Sequence, residues 1–266
     1  MSDTVTILPS DAVGGDPQAA GALRGAAALV AGGSGRLGRL VALGLAREGA
    51  AVAVGYRTGD KRAAAVVDAV TGAGGRAIAV PLDQTDEAYV STAVETTAHF
   101  LGGVDILVNA AGIAHGRKPV AAGDLDALTP LLWDQLMTVN LRGPYLLARA
   151  AAPYLRASRW GRIVNVGAHI GPDAAGSAAA CATSIASVAS LTRFLAAALA
   201  PDVAVHCVAP ALKTVPDPAD AAGGSTRPGT APQTPSGLDE VARRVLALCI
   251  GEREAGETSV FGAVTR

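Results

Sequence analysis

The sequence predicts an α/β fold: one doubly wound parallel sheet of about seven strands with helices on both faces. Three observations carry that expectation. Short runs are apolar along their whole length, as strands covered on both faces must be. Helix-length segments separate these runs in regular alternation, the pattern of right-handed βαβ crossovers. A chain of 266 residues that is 50% hydrophobic fills one core and shows no sign of a second domain.

Taken in order, residues 1–25 are predicted as a flexible arm, because Pro9, Gly14, Gly15, Pro17, Gly21 and Gly25 break any period. The compact domain spans 26–266. Strands are expected at Ala26–Ala31, Ala51–Gly55, Arg76–Pro81, Val104–Asn109, Gly161–Val166, Val203–Ala209 and Thr258–Gly262. Helices are expected at Arg36–Glu48, Lys61–Ala73, Asp86–Phe100, Pro130–Leu155, Ala178–Leu199 and Leu238–Gly251. The long break at Lys213–Gly237, dense in Pro and Gly, reads as a lid over a substrate or as disordered chain.

Composition narrows the function. A net charge of −1, from 22 Lys+Arg against 23 Asp+Glu, argues against nucleic-acid binding through backbone electrostatics. An aromatic content of 3% argues against base-stacking platforms. Cys181, Cys207 and Cys249 are odd in number and form no CxxC, so neither a disulfide framework nor a metal site is expected. Cys207 and Cys249 read as core residues, and His206 is expected on an outward-facing strand position. The first 25 residues hold no apolar signal region, and Ala174–Ala200 is diluted by Ser, Thr and Arg193 below the level of a membrane span. A cytoplasmic protein without membrane contact is expected.

The first strand runs directly into Gly32-Gly33-Ser34-Gly35-Arg36-Leu37-Gly38, in which Gly33, Gly35 and Gly38 satisfy G-x-G-x-x-G. In a strand–turn–helix context this is the phosphate turn of a Rossmann-type dinucleotide fold. Missing Cβ atoms let backbone approach a pyrophosphate, and the helix N-terminus offers free N–H groups. A merely tight turn is the plain alternative. Cofactor choice falls at the end of the second strand, where an acid holds the ribose of NAD and a base accommodates the phosphate of NADP. Here Tyr56-Arg57-Thr58 offers no acid before Asp60. Arg57, with Arg36 reaching the same region, favours NADP(H) over NAD(H).

In its motif order the chain from Ala26 to about Gly262 resembles the short-chain dehydrogenase/reductase family. Ala31–Gly38 is similar to the family's TGxxxGxG turn, with Arg36 and the Tyr56-Arg57 pair as in its pteridine-reductase branch. Asp83 matches the adenine-contacting acid, Asn109-Ala110-Ala111-Gly112 the NNAG motif, and Asn140 the active-site asparagine. The resemblance implies a catalytic serine, tyrosine and lysine. Their positions fall on Ala168, Cys181 and Ile185, so all three roles stand vacant.

Other polar residues would line the same crevice: His115, Arg117, His169, Asp173, Ser177, Thr183 and Ser184. With Cys181 and Asn140, the candidates for acid–base or nucleophilic work are His115, His169 and Asp173. Three functions compete. The leading expectation is a non-redox binding or regulatory module for a small molecule, or the silent subunit beside an active partner of the same family. The second is a non-redox biosynthetic enzyme: a cyclase, dehydratase or isomerase. The third is an NADPH-dependent reductase whose proton comes from substrate or water. The two long helices Pro130–Leu155 and Ala178–Leu199 are expected to build a homodimer or homotetramer, with Phe194 and Leu195 as anchors.

Overall fold

The computed structural model describes residues 21–113, 126, 128–167, 169–170, 179–212, 237–251 and 258–261. The arm over residues 1–20 and nearly all of 213–237 lie outside them. Eight strands form: β1 (Ala27–Ala31), β2 (Ala51–Tyr56), β3 (Ala77–Pro81), β4 (Ile106–Asn109), β5 (Arg162–Val166), β6 (His169–Ile170), β7 (Ala204–Leu212) and β8 (Thr258–Phe261). All pair in parallel, in the order β3-β2-β1-β4-β5-β7, with β8 on the far side of β7. The unpredicted strand β6 keeps the register of β5 against β7: Arg162 lies opposite Ala204 and His169 opposite Ala211. It is therefore the continuation of β5 past Gly167. The expectation of about seven strands holds in width.

Strand alternation distributes the core over two layers. Ala27, Leu29 and Ala31 face helices α3 (Glu87–Leu101), α5 (Gly143–Ala157) and α6 (Ala179–Leu199). Ala28 and Val30 face α1 (Arg36–Arg47), α2 (Asp60–Gly72) and α7 (Leu238–Ile250). Burial on both faces explains why these strands read as unbroken apolar runs. The remaining helix, α4 (Pro130–Met137), starts at a Thr129 cap with Pro130 in the first turn.

The helix expected over Pro130–Leu155 is not continuous. A π-helical turn over Thr138–Arg142 separates α4 from α5, and Gly143-Pro144 opens α5. The wider turn admits one extra residue per repeat, and it rotates Asn140 into the interior. Apolar periodicity spans such an insertion without a visible break.

His206 also departs from expectation. It lies on the strand face that carries Val164 and Val208, is 2% exposed, and neither ring nitrogen has a partner among the described residues. Burial first, and Arg162 second, push its pKa down from 6.5 to about 4. Between these values the unfolded chain takes up a proton that the native chain refuses. Stability therefore rises with pH from about 4 to 6.5 and then levels, by on the order of 3 kcal/mol in full. Urea unfolding at pH 5 and pH 7 should show this slope reduced in His206→Leu; equal slopes would contradict it.

Candidate active site

The phosphate turn is shaped by contacts that exclude side chains. Gly33 N–H donates to the carbonyls of Val30 (3.1 Å) and Gly55 (2.9 Å), and Gly35 N–H to Gly32 (2.9 Å). Gly32 adopts φ +76°, and a Cβ there would sit 2.8 Å from the Ala111 backbone. A Cβ on Gly38 would lie 2.2 Å from the Gly32 carbonyl oxygen. Gly35 caps α1 without a side-chain bond, so the first amides of that helix keep their donors for a ligand.

Beside this turn opens a cleft of about 290 Å³. Gly32, Ser34 and Gly35 form its floor, Ala110, Ala111 and Gly112 one wall, and Tyr56, Arg57 and Asp83 its far end. Gly33, Leu37, Gly38 and Asn109 shape the surroundings without bordering the cleft. Arg36, expected beside Arg57, is exposed on the first turn of α1 and does not border it either.

Asp83 accepts from Thr85 N–H (3.0 Å) and Thr85 Oγ1 (2.7 Å). Burial raises its pKa, but the Thr85 bonds and the Arg57 guanidinium together outweigh that and hold the carboxyl below its ordinary value. Gln84, not singled out by the sequence, is buried, borders the cleft and donates from Nε2 to the Val139 carbonyl (2.7 Å). The bare Cα of Gly143 makes room for it: a Cβ there would meet Gln84 at 2.8 Å.

Asn140 joins three elements. Its Oδ1 accepts from Ile113 N–H (2.8 Å), while Nδ2 donates to the Ile113 carbonyl (2.9 Å) and to Ser184 Oγ (2.9 Å). Ser184 in turn donates to the Cys181 carbonyl (2.8 Å) on α6. Asn140→Ala leaves both Ile113 backbone groups and a buried hydroxyl short of a partner. A loss of roughly 2–3 kcal/mol in urea unfolding is expected; a loss below 0.5 kcal/mol would show the clasp to be incidental. A second ladder runs below, from Asn109 Nδ2 to Asn165 Oδ1 (2.7 Å) and from Asn165 Nδ2 to Thr192 Oγ1 (2.9 Å).

Cys181 is buried with Leu136 among Ile113, Leu128, Leu132 and Ile185, and its Sγ faces the Ile113 carbonyl at 3.7 Å. Ile185 is half-buried in the same cluster and Thr183 is exposed. Of the other expected residues, His115, Arg117, Ala168, Asp173 and Ser177 lie outside the described residues, and His169 is described as a strand residue only. Cys207 and Cys249 are core residues; burial pushes their thiols up to about 11 and about 12. Among the described residues no group of three His, Cys, Asp or Glu side chains could hold a metal. No helix among them is long and apolar enough to cross a membrane.

The short chain dehydrogenase family pattern matches residues 26–216. This chain belongs to that family. The short-chain reductase protein NovJ of Streptomyces niveus is 35% identical over 71% of this chain and 70% of its own length. The 3-oxoacyl-acyl-carrier-protein reductase of Aquifex aeolicus is 31% identical over 71% and 74%. A short chain dehydrogenase from Burkholderia cenocepacia, solved in complex with NADP, superposes with a TM-score of 0.72 at 34% identity, covering 90% of this chain and 96% of that one.

These short-chain dehydrogenase relatives correct the leading expectation. They are named as reductases and dehydrogenases, which supports an oxidoreductase role and not a pseudoenzyme, a regulatory module or a silent subunit. The same names favour hydride transfer over a cyclase, dehydratase or isomerase. The family binds NAD(P), and the glycine turn fits such a group: Gly32 and Gly38 leave no room for a Cβ, and the first amides of α1 carry no side-chain cap. The non-redox expectation rested on Ala168, Cys181 and Ile185 standing where the resemblance implies serine, tyrosine and lysine, and the reductase and dehydrogenase names of the relatives overturn it.

Proposed function

We propose that this chain is an NADP(H)-dependent reductase acting on a small carbonyl compound. The observation that carries the reading is the end of β2: Arg57 borders the cleft where a carboxylate would be needed for the ribose of NAD. The reductase names of its relatives point the same way. When bound, NADP(H) supplies the hydride. The chain's own groups do the rest. The Gly32–Gly35 amides and the first turn of α1 take the pyrophosphate, Arg57 the 2′-phosphate, and Asp83 the adenine edge. Asn140, through Ile113 and Ser184, holds the wall after β4 at a fixed distance from α6.

With Ala168, Cys181 and Ile185 at the serine, tyrosine and lysine positions, the proton that completes the alcohol comes from a non-standard donor, water or the substrate itself. Loss of a single acid–base group costs about 10²–10⁴-fold and three positions are replaced here, so turnover is expected well below that of relatives with a full relay. NADPH absorbance followed against ketones and β-ketoacyl thioesters tests the reading. Slow consumption, faster with NADPH than with NADH, supports it; tight NADPH binding with no consumption by any carbonyl overturns it.

The reading includes a two-fold homo-oligomer through α5 and α6. Phe194 is 59% exposed on α6 and Tyr145 37% exposed on α5. Leu195, expected as a second anchor, is buried within the chain's own core instead. Light scattering at micromolar protein should give a dimer or tetramer mass, and a monomer mass would remove this part.

A further inference from the structure

We infer that Arg62, beside the cleft and across Gly59 from Ser34, is a second phosphate-grasping cation for a ligand bound there, and that the absent side chain of Gly59 leaves guanidinium and hydroxyl the space between them. The inference rests on the NADP(H) reading above and deepens it. Gly59 is buried and caps the N-terminus of α2. A Cβ built on it would meet Ser34 Oγ and Arg62 Nη2 at 2.8 Å each, and Arg62 Cζ at 3.2 Å. The guanidinium therefore lies over Gly59 on the side of Ser34, which borders the cleft; Arg62, like Arg36, does not border it.

Charge accounting favours Arg62 as the free partner. Arg57 already spends part of its field on Asp83, whose carboxyl it helps to hold down. Arg62 makes no ion pair or hydrogen bond among the described residues, and the exposed Asp60 beside it pairs with neither arginine there. A phosphomonoester carries a charge near ~−2 at neutral pH. One half-committed arginine neutralises little of that. A guanidinium fork and a hydroxyl on the opposite side supply the donors its three oxygens accept.

Affinities of NADPH, NADH, 2′-AMP and 5′-AMP, measured by calorimetry on the full chain, test the assignment. Arg62→Ala should weaken NADPH and 2′-AMP by about 10–100-fold and leave NADH and 5′-AMP within about twofold. Arg62→Lys should fall between. Gly59→Ala should behave like Arg62→Ala although it removes no donor, because the methyl occupies the space that Arg62 Nη2 and Ser34 Oγ both border. Its φ of −120° suits alanine, and Arg62 can swing aside, so melting temperature should stay close to wild type. Wild-type preference for NADPH retained in both Arg62→Ala and Gly59→Ala overturns the inference and leaves the NADP(H) reading standing. A wild type with no preference for NADPH overturns that reading, and this inference with it.

Discussion

Gly38→Ala is expected to weaken NADPH and NADH alike by about 100-fold or more, equivalent to ~2.8 kcal/mol of binding. The added methyl would sit 2.2 Å from the Gly32 carbonyl oxygen and 2.7 Å from its carbon. Both are backbone atoms, so no rotamer change relieves the overlap. Overpacking of this kind costs roughly 1–3 kcal/mol of stability. Relief requires the Gly32–Gly33 turn to lift off α1, which withdraws the amides that a pyrophosphate needs. Gly72→Ala is the matching control. Nothing lies within 4 Å of its Cβ position at the end of α2, and the helix should gain up to ~0.5–1 kcal/mol. Calorimetric affinity and melting temperature separate the two glycines; equal, small effects would mean that the turn is not the phosphate floor.

Arg57→Asp should carry the largest change in cofactor preference, lowering the NADPH to NADH affinity ratio by on the order of 10²–10³. Two effects add. A phosphate loses a guanidinium and gains a like charge, and a carboxylate arrives where the ribose hydroxyls of NADH can use it. The substitution also removes one of the groups that hold the Asp83 carboxyl down, so that pKa should move upward while the two Thr85 bonds remain. Arg57→Ala isolates the loss from the repulsion. An unchanged ratio in both variants would place the 2′-phosphate elsewhere.

Much of the fold was legible because each strand is apolar on both faces, as Ala27–Ala31 shows, and because glycine spacing marks the turn after it. What the sequence hid is instructive. The π-helical turn at Thr138–Arg142 keeps the apolar pattern while shifting its phase, so Asn140 was found by its motif neighbours and not by periodicity. Gln84 and Gly143 form a size-complementary pair 59 residues apart in sequence, and nothing local announces it. Arg62 reads as an ordinary exposed helix residue until its chain is seen folded over Gly59. His206 sits in a strand whose alternation gives no hint that its polar face is covered by α7. Cys181 and Ile185 stand where the family resemblance implies tyrosine and lysine, and the non-redox expectation built on them was contradicted by the reductase and dehydrogenase names of the relatives.

The measurement that tests the central claim most directly is label transfer from NADPH deuterated at C4 of the nicotinamide. The wild-type chain is incubated with this donor and a panel of ketones and β-ketoacyl thioesters, and the products are read by mass spectrometry. NADP(H)-dependent reduction predicts one deuterium on the new carbinol carbon, from one face of the nicotinamide only, with the signal lost in Gly38→Ala. Saturating NADPH binding with unlabelled or unreduced carbonyl across the whole panel would contradict it.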